Sequence, residues 1–170
     1  MLVVVAVLVG VAWAARGEET AAGPPGVPCS VVGTKLRLTP AQASNVEAIA
    51  AVARERDLHP RAIVIALATA QQESRLRNID YGDRDSLGLF QQRPSQGWGT
   101  PAQVQDPTYA AGEFFDRLVH VPRWKTRRLT ESAQMVQRSG FPYAYQQWEP
   151  MAQALTRALD DDGDLALRCG

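Results

Sequence analysis

The sequence predicts a mainly α fold: a single helical domain with a long loop between its second and third helices. Three observations carry this. Apolar residues recur at spacings of three and four over several segments, the period that gives a helix one buried face. Three segments open on a residue followed by proline (Thr39-Pro40, His59-Pro60, Asp106-Pro107), and proline suits a first helical turn because the N–H it lacks has no partner there. No run alternates convincingly enough to read as a strand, and no internal repeat is present. With 170 residues, 45% of them hydrophobic, the chain can bury one sizeable core, and 29–170 is predicted to form one domain.

The N-terminus stands apart from that domain. Leu2 to Ala15 is apolar and uncharged over 14 positions, shorter than the roughly 20 residues a helix needs to cross a bilayer. That length matches the hydrophobic region of a signal peptide, so 1–15 is expected to be a signal peptide or a membrane anchor. Ala12-Trp13-Ala14 offers small residues for cleavage, although no basic residue precedes the apolar run. Residues 16–28, RGEETAAGPPGVP, lack apolar periodicity and read as a linker. Cys29 follows the linker and Cys169 is the penultimate residue. A bridge between them would clamp both ends of the domain in an oxidising compartment, with chain entropy contributing at most roughly 5 kcal/mol. The alternative is two unpaired thiols.

The helices follow in order. The first is capped by Thr39, carries Ala43, Val46, Ala50 and Ala53 on one face, and ends near Asp57. The second runs from His59-Pro60 to about Arg75 with Ile63, Ala66, Leu67 and Ala70 as its stripe. Asp106-Pro107 opens the third, with Ala111, Phe114, Phe115 and Leu118. Thr130 is expected to cap a short fourth helix that Gly140 ends, and a fifth spans about Pro142 to Leu159 with a break at Pro150. Trp124 and Trp148 flank helices and read as core. Asp160 to Asp164 lacks the downstream bidentate glutamate of a calcium loop and reads as a solvated acidic turn.

About 30 residues rich in Gly, Asp, Ser and Gln separate the second and third helices. A segment that long with little regular structure is usually functional. Continuing the second helix's stripe through Ile63, Ala66 and Ala70 brings Glu73 onto the buried face, just before this loop. Desolvation and the negative end of the helix dipole both disfavour its anion. A glutamate held protonated near neutral pH is a general acid. The competing reading turns Glu73 to solvent or pairs it with Arg75 or Arg77.

Glu73-Ser74-Arg75-Leu76, then Gly88-Leu89-Phe90-Gln91, then Tyr109-Ala110-Ala111-Gly112 with Phe114-Phe115 resembles the lysozyme-like superfamily, in particular the bacterial lytic transglycosylases. The string from Gly82 to Gln91, GDRDSLGLFQ, is similar to the matching loop of goose-type lysozymes. The likeness covers about 60–120. It implies a lysozyme-like fold acting on the β-1,4 bond between N-acetylmuramic acid and N-acetylglucosamine of peptidoglycan; the N-terminal apolar segment and the two cysteines lead us to expect a location outside the cytoplasm, either secreted to the wall or anchored at the outer face of the membrane. The likeness gives Glu73 the role of catalytic acid. Ser74 holds the helix end and the glutamate, Gly88 lets loop backbone pass close to the sugar, and Gln91 lines the cleft with its amide. No cofactor is implied, and the isolated His59 and His120 support no metal site.

Two mechanisms share such an acid. An inverting hydrolase needs a second carboxylate to activate water, whereas a lytic transglycosylase reuses the glutamate as base toward the sugar's own 6-hydroxyl. Asp83 and Asp85 are the candidate bases, Asp83 matching the goose-type aspartate best. The resemblance is incomplete, because transglycosylases carry a tyrosine-asparagine pair late in the domain where this chain reads Met135-Val136-Gln137-Arg138. Tyr143 or Tyr145 offers a phenol by another route, the alternative being half-buried aromatics. Trp98, between Gly97 and Gly99, either stacks on a sugar or pins its loop to the core. Equal numbers of basic and acidic residues, 18 of each, argue against nucleic acid as a partner. The expected partner is the glycan strand, met by a monomer. The rival from another class is a non-catalytic lysozyme-like wall-binding protein.

Overall fold

The computed structural model describes residues 26–169; the expected signal or anchor segment at 1–15 and the linker residues 16–25 lie outside the described residues. Within them the chain is mainly helical. Strands β1 (Cys29–Val31) and β2 (Arg37–Leu38) lead into helices α1 (Pro40–Glu55) and α2 (Arg61–Ser74). After the long loop come α3 (Pro101–Val104), α4 (Pro107–Leu118), α5 (Leu129–Gln137) and α6 (Glu149–Ala158), and β3 (Leu167–Arg168) closes the chain.

The centre of the molecule is α2. Its sequence predicts one buried stripe, yet every residue from Ala62 to Ala70 is buried, because α1, α4, α5 and α6 all pack on it. Alanine at 62, 66, 68 and 70 makes this crowding possible, since small side chains let neighbouring helices approach. The one polar residue in the run, Thr69, satisfies its hydroxyl by donating to the Ile65 carbonyl at 2.7 Å. The expected stripes of α1 and α4 are buried, and Phe90 stacks on Phe114 with ring centroids 4.9 Å apart.

Pro40 and Pro107 open α1 and α4 as expected, whereas Pro60 stands just before α2, which begins at Arg61 with no side-chain cap. Thr39 accepts from the Gln42 N–H while Gln42 reaches back to the Thr39 N–H, a reciprocal capping box. Thr100 and Gln103 repeat it for α3, a helix not foreseen, and Asp106 accepts from the Thr108 and Tyr109 N–H groups ahead of α4. The last two helices depart from expectation. α5 begins at Leu129, so Thr130 is not its cap; the Thr130 hydroxyl donates to the Pro142 carbonyl at 2.6 Å, and its N–H is satisfied by Gln146. α5 stops at Gln137 with Arg138 left-handed, ahead of Gly140. Pro150 does not break a helix: it stands in the first turn of α6, where no N–H is needed.

The strands are a correction. β1 pairs antiparallel with both β2 and β3, in the order β2-β1-β3, and the register sets Ser30 opposite Arg168. Cys29 and Cys169 therefore meet across the β1–β3 pair and form a disulfide, with Cα atoms 4.4 Å apart. Strands of two or three residues are too short to show a period of two, so the sequence gives no warning of them. At the acidic turn, Asp160 accepts from the N–H groups of Asp162, Gly163 and Asp164, so its carboxylate is spent on closing the loop.

Candidate functional site

Glu73 sits in the last turn of α2, where the buried helix emerges from the core. The exit is fixed by its neighbours. Arg75 and Leu76 both take left-handed backbone, each with φ of 58°, and the Leu76 N–H returns to the Ala70 carbonyl, closing the helix end. Two α1 side chains hold the turned chain: Gln42 donates to the Arg75 carbonyl at 2.8 Å and Asn45 to the Leu76 carbonyl at 2.9 Å. Ser74, buried, donates to the Leu89 carbonyl at 2.8 Å and so ties the helix end to the long loop. Neither arginine pairs with Glu73; Arg77 turns back to the Ser74 carbonyl.

Glu73 is half-buried and opens on a cleft of about 480 Å³ whose lining includes Asp83, Gln91, Gln137 and Phe141. Burial pushes its carboxyl above the usual glutamate value, and hydrogen bonds from Tyr145 and then Gln137 pull the other way. The Tyr145 hydroxyl donates to Glu73 Oε1 at 2.7 Å. Tyr145 itself is 0% exposed, and burial first, then the Glu73 charge, drives its pKa up, so the phenol keeps its proton and remains a donor. The segment carrying it is fastened to α2: the Trp148 indole donates to Gln72 Oε1 at 2.7 Å, and Arg61 pairs with Glu149. Of the two candidate phenols the fold brings Tyr145 to the glutamate and leaves Tyr143 78% exposed with its ring in solvent.

The loop separates residues that the sequence groups together. Asp83 lines the cleft with its side chain 92% exposed, held among the described residues by a 3.9 Å approach to Arg84. Asp85 does not line it. Its two oxygens accept from the Ser95 N–H at 2.7 Å, Arg93 Nε at 2.8 Å and the Ser95 hydroxyl at 3.0 Å, and these bonds, the Ser95 N–H first, lower its pKa well below the usual aspartate range. A carboxylate so tied is a staple for the loop and a poor base, which corrects the reading of Asp85 as a catalytic candidate.

Gly88 has a packing role within the chain. It is buried with φ +75°, and a Cβ there would lie 2.2 Å from the Val104 carbonyl oxygen, so the loop backbone passes close to the end of α3. Gln91 lines the cleft, as expected, but its amide donates to the Tyr81 and Gly88 carbonyls at 3.2 and 3.3 Å, and Gly82 leaves the room its Oε1 occupies. Trp98 is only 8% exposed, with the Arg117 guanidinium 3.6 Å above its ring centroid. With the ring buried under Arg117, the arrangement favours a Trp that pins its loop over one that stacks on a sugar.

Two lining residues escape the sequence reading. Gln137, in the last turn of α5, is anchored by donating to the Phe90 carbonyl at 2.7 Å and faces the carboxylate. Phe141 is 76% exposed at the cleft edge, an aromatic face open to an apolar surface such as that of a sugar ring. Its only signal is an apolar residue after Ser139-Gly140, where a loop is expected to be polar. Among the described residues, no group of His, Cys, Asp and Glu is arranged to hold a metal ion. What the site can do is hold a proton on a half-buried carboxyl and hand it to a group bound in the cleft. No protein-family model matches the chain, and no curated protein sequence matches it significantly.

Proposed function

We propose that this chain is an exported, lysozyme-like peptidoglycan-cleaving enzyme that breaks the N-acetylmuramic acid–N-acetylglucosamine β-1,4 bond by lytic transglycosylation, with Glu73 as acid and then base. The observation that carries the reading is the environment of Glu73: a carboxyl with a raised pKa, open to a cleft and backed by a phenol that stays protonated. Glu73 protonates the glycosidic oxygen as the C1–O bond breaks through an oxocarbenium-like state. The resulting carboxylate, stabilised by the Tyr145 hydroxyl, takes the proton of the muramic acid 6-hydroxyl, whose oxygen attacks C1 and closes the 1,6-anhydro ring. No water is consumed. Tyr145 and Gln137 together supply a phenol and an amide beside the glutamate, the two groups that the tyrosine-asparagine pair supplies in the family. The disulfide fits an oxidising compartment.

A second reading rests on Asp83. It lines the same cleft as Glu73 with no strong partner, the condition for a carboxylate that activates water in an inverting muramidase. The products decide. The full chain is incubated with peptidoglycan and the soluble fragments are weighed: anhydro-muropeptides support transglycosylation, and reducing-end products support hydrolysis. No soluble product, with wall binding that Glu73→Gln leaves intact, sinks both and favours a wall-binding protein.

A further inference from the structure

A second groove, of about 660 Å³, continues from the cleft of Glu73, sharing Gln96, Gln137 and Arg138 with it. Its floor is apolar, made by Trp98, Val121 and Val136, all buried, and Met135 stands 44% exposed at its side. Most of its charge is already spent. Arg117 pairs with Glu113, donates to the Gly97 carbonyl at 3.1 Å and lies on Trp98, and Asp116 pairs with Arg56 at 2.7 Å. Arg138 is different: exposed, at the junction of the two grooves, it forms no ion pair or side-chain hydrogen bond among the described residues. Its backbone is left-handed, with φ 52° at the end of α5, a conformation that costs energy in a residue other than glycine.

Gln96 and His120 also stand exposed at the rim of the groove, but the feature that a neutral sugar leaves unused is the unpaired guanidinium at the entrance beside an apolar floor. The groove matches a short peptide that carries aliphatic side chains and a free carboxylate. Resting on the reading of the first cleft as a glycan site, we infer that the second groove receives the peptide borne on the lactyl group of the muramic acid, with Arg138 pairing to a carboxylate of that peptide. The chain then favours peptide-bearing strands over stripped ones.

The test is binding by the full chain of two soluble probes, the N-acetylglucosamine–N-acetylmuramic acid disaccharide with and without its tetrapeptide, followed by calorimetry. A charge-assisted pair predicts about tenfold tighter binding of the peptide-bearing probe. Arg138→Gln is expected to remove most of that difference, and so is amidation of the peptide carboxylates with the protein unchanged. Equal affinity for both probes, or no binding of either, overturns the inference. An equal loss for both probes in Arg138→Gln also overturns it, because the guanidinium then contacts the sugar or the lactyl carboxylate that the stripped probe retains. The two proposals fail separately. A chain that shows this binding pattern but releases no product from the wall loses the cleavage reading alone, and one that cleaves stripped and peptide-bearing strands equally well loses this inference alone.

Discussion

The Tyr145 hydroxyl donates a 2.7 Å hydrogen bond to Glu73 Oε1 across 72 positions of sequence. The bond favours the carboxylate, while burial favours the acid, and burial is the larger effect. Removing the phenol in Tyr145→Phe therefore raises the Glu73 pKa further. Under the proposed transglycosylation, the alkaline limb of the pH–rate profile is expected to move to higher pH, and kcat to fall as the carboxylate loses the donor that supports it as base. A full pH profile of the variant checks both, and a limb that stays put removes Tyr145 from the mechanism.

Glu73→Gln should separate activity from stability. With Glu73 as the proposed acid, its loss is expected to lower kcat roughly 10²–10⁴-fold. For stability, the folded pKa lies above the ordinary 4.5, so the folded protein binds more protons than the unfolded chain between those values. The stabilising contribution of the neutral form is complete below about pH 4.5 and is lost as pH rises through the folded pKa. Glutamine keeps the acceptor for Tyr145 without the buried charge. Melting temperatures are expected to favour the variant at neutral pH, and the advantage should vanish toward pH 4.

Asp83→Asn and Asp85→Asn make a pair with opposite expectations. Under transglycosylation Asp83→Asn changes the rate little and leaves anhydro products; a loss of 10²-fold or more with reducing-end products would assign Asp83 as the base of a hydrolase. Asp85→Asn instead loosens the segment that Arg93 and Ser95 tie down, read as faster amide exchange over 83–96. Because the Asp85 pKa is lowered, its tie is present above the ordinary 3.8 and is lost as pH falls through the folded value below that. The wild-type loop should open in the same way in strong acid.

Gly88→Ala combines a positive φ with a Cβ that would meet the Val104 carbonyl oxygen at 2.2 Å. A cost of roughly 2–4 kcal/mol is expected, measured by denaturant unfolding. A near-neutral substitution would show that the loop and α3 can part cheaply.

The sequence reveals the helices where local chemistry determines them: a capping side chain, a proline in the first turn and a stripe of apolar residues all refer to positions within one turn of each other. It fails where the partner is distant. The N–H of Thr130 is satisfied by Gln146, so the beginning of α5 depends on a segment not yet made. Pro150 reads as a break only if the preceding residues are taken as helix, and they form a 3₁₀ turn. Glu73 is legible because burial follows from periodicity, whereas the choice of Tyr145 over Tyr143, and of Asp83 over Asp85 as the cleft residue, is made by how the chain folds back. Gln137 and Arg138 carry no local signal at all.

The disulfide between Cys29 and Cys169 makes one covalent ring of nearly everything described, helices, loop and cleft alike. Tension applied through the chain preceding Cys29 is borne at the knot of the ring, across β1 and β3, before it reaches α2 or the glutamate at its end. Such a domain can be hung from its N-terminal side and pulled while its working groove keeps its shape. Reduction transfers the same load to the short β1 pairings, and single-molecule extension with and without reductant should show the domain yielding as a whole only when the ring is open.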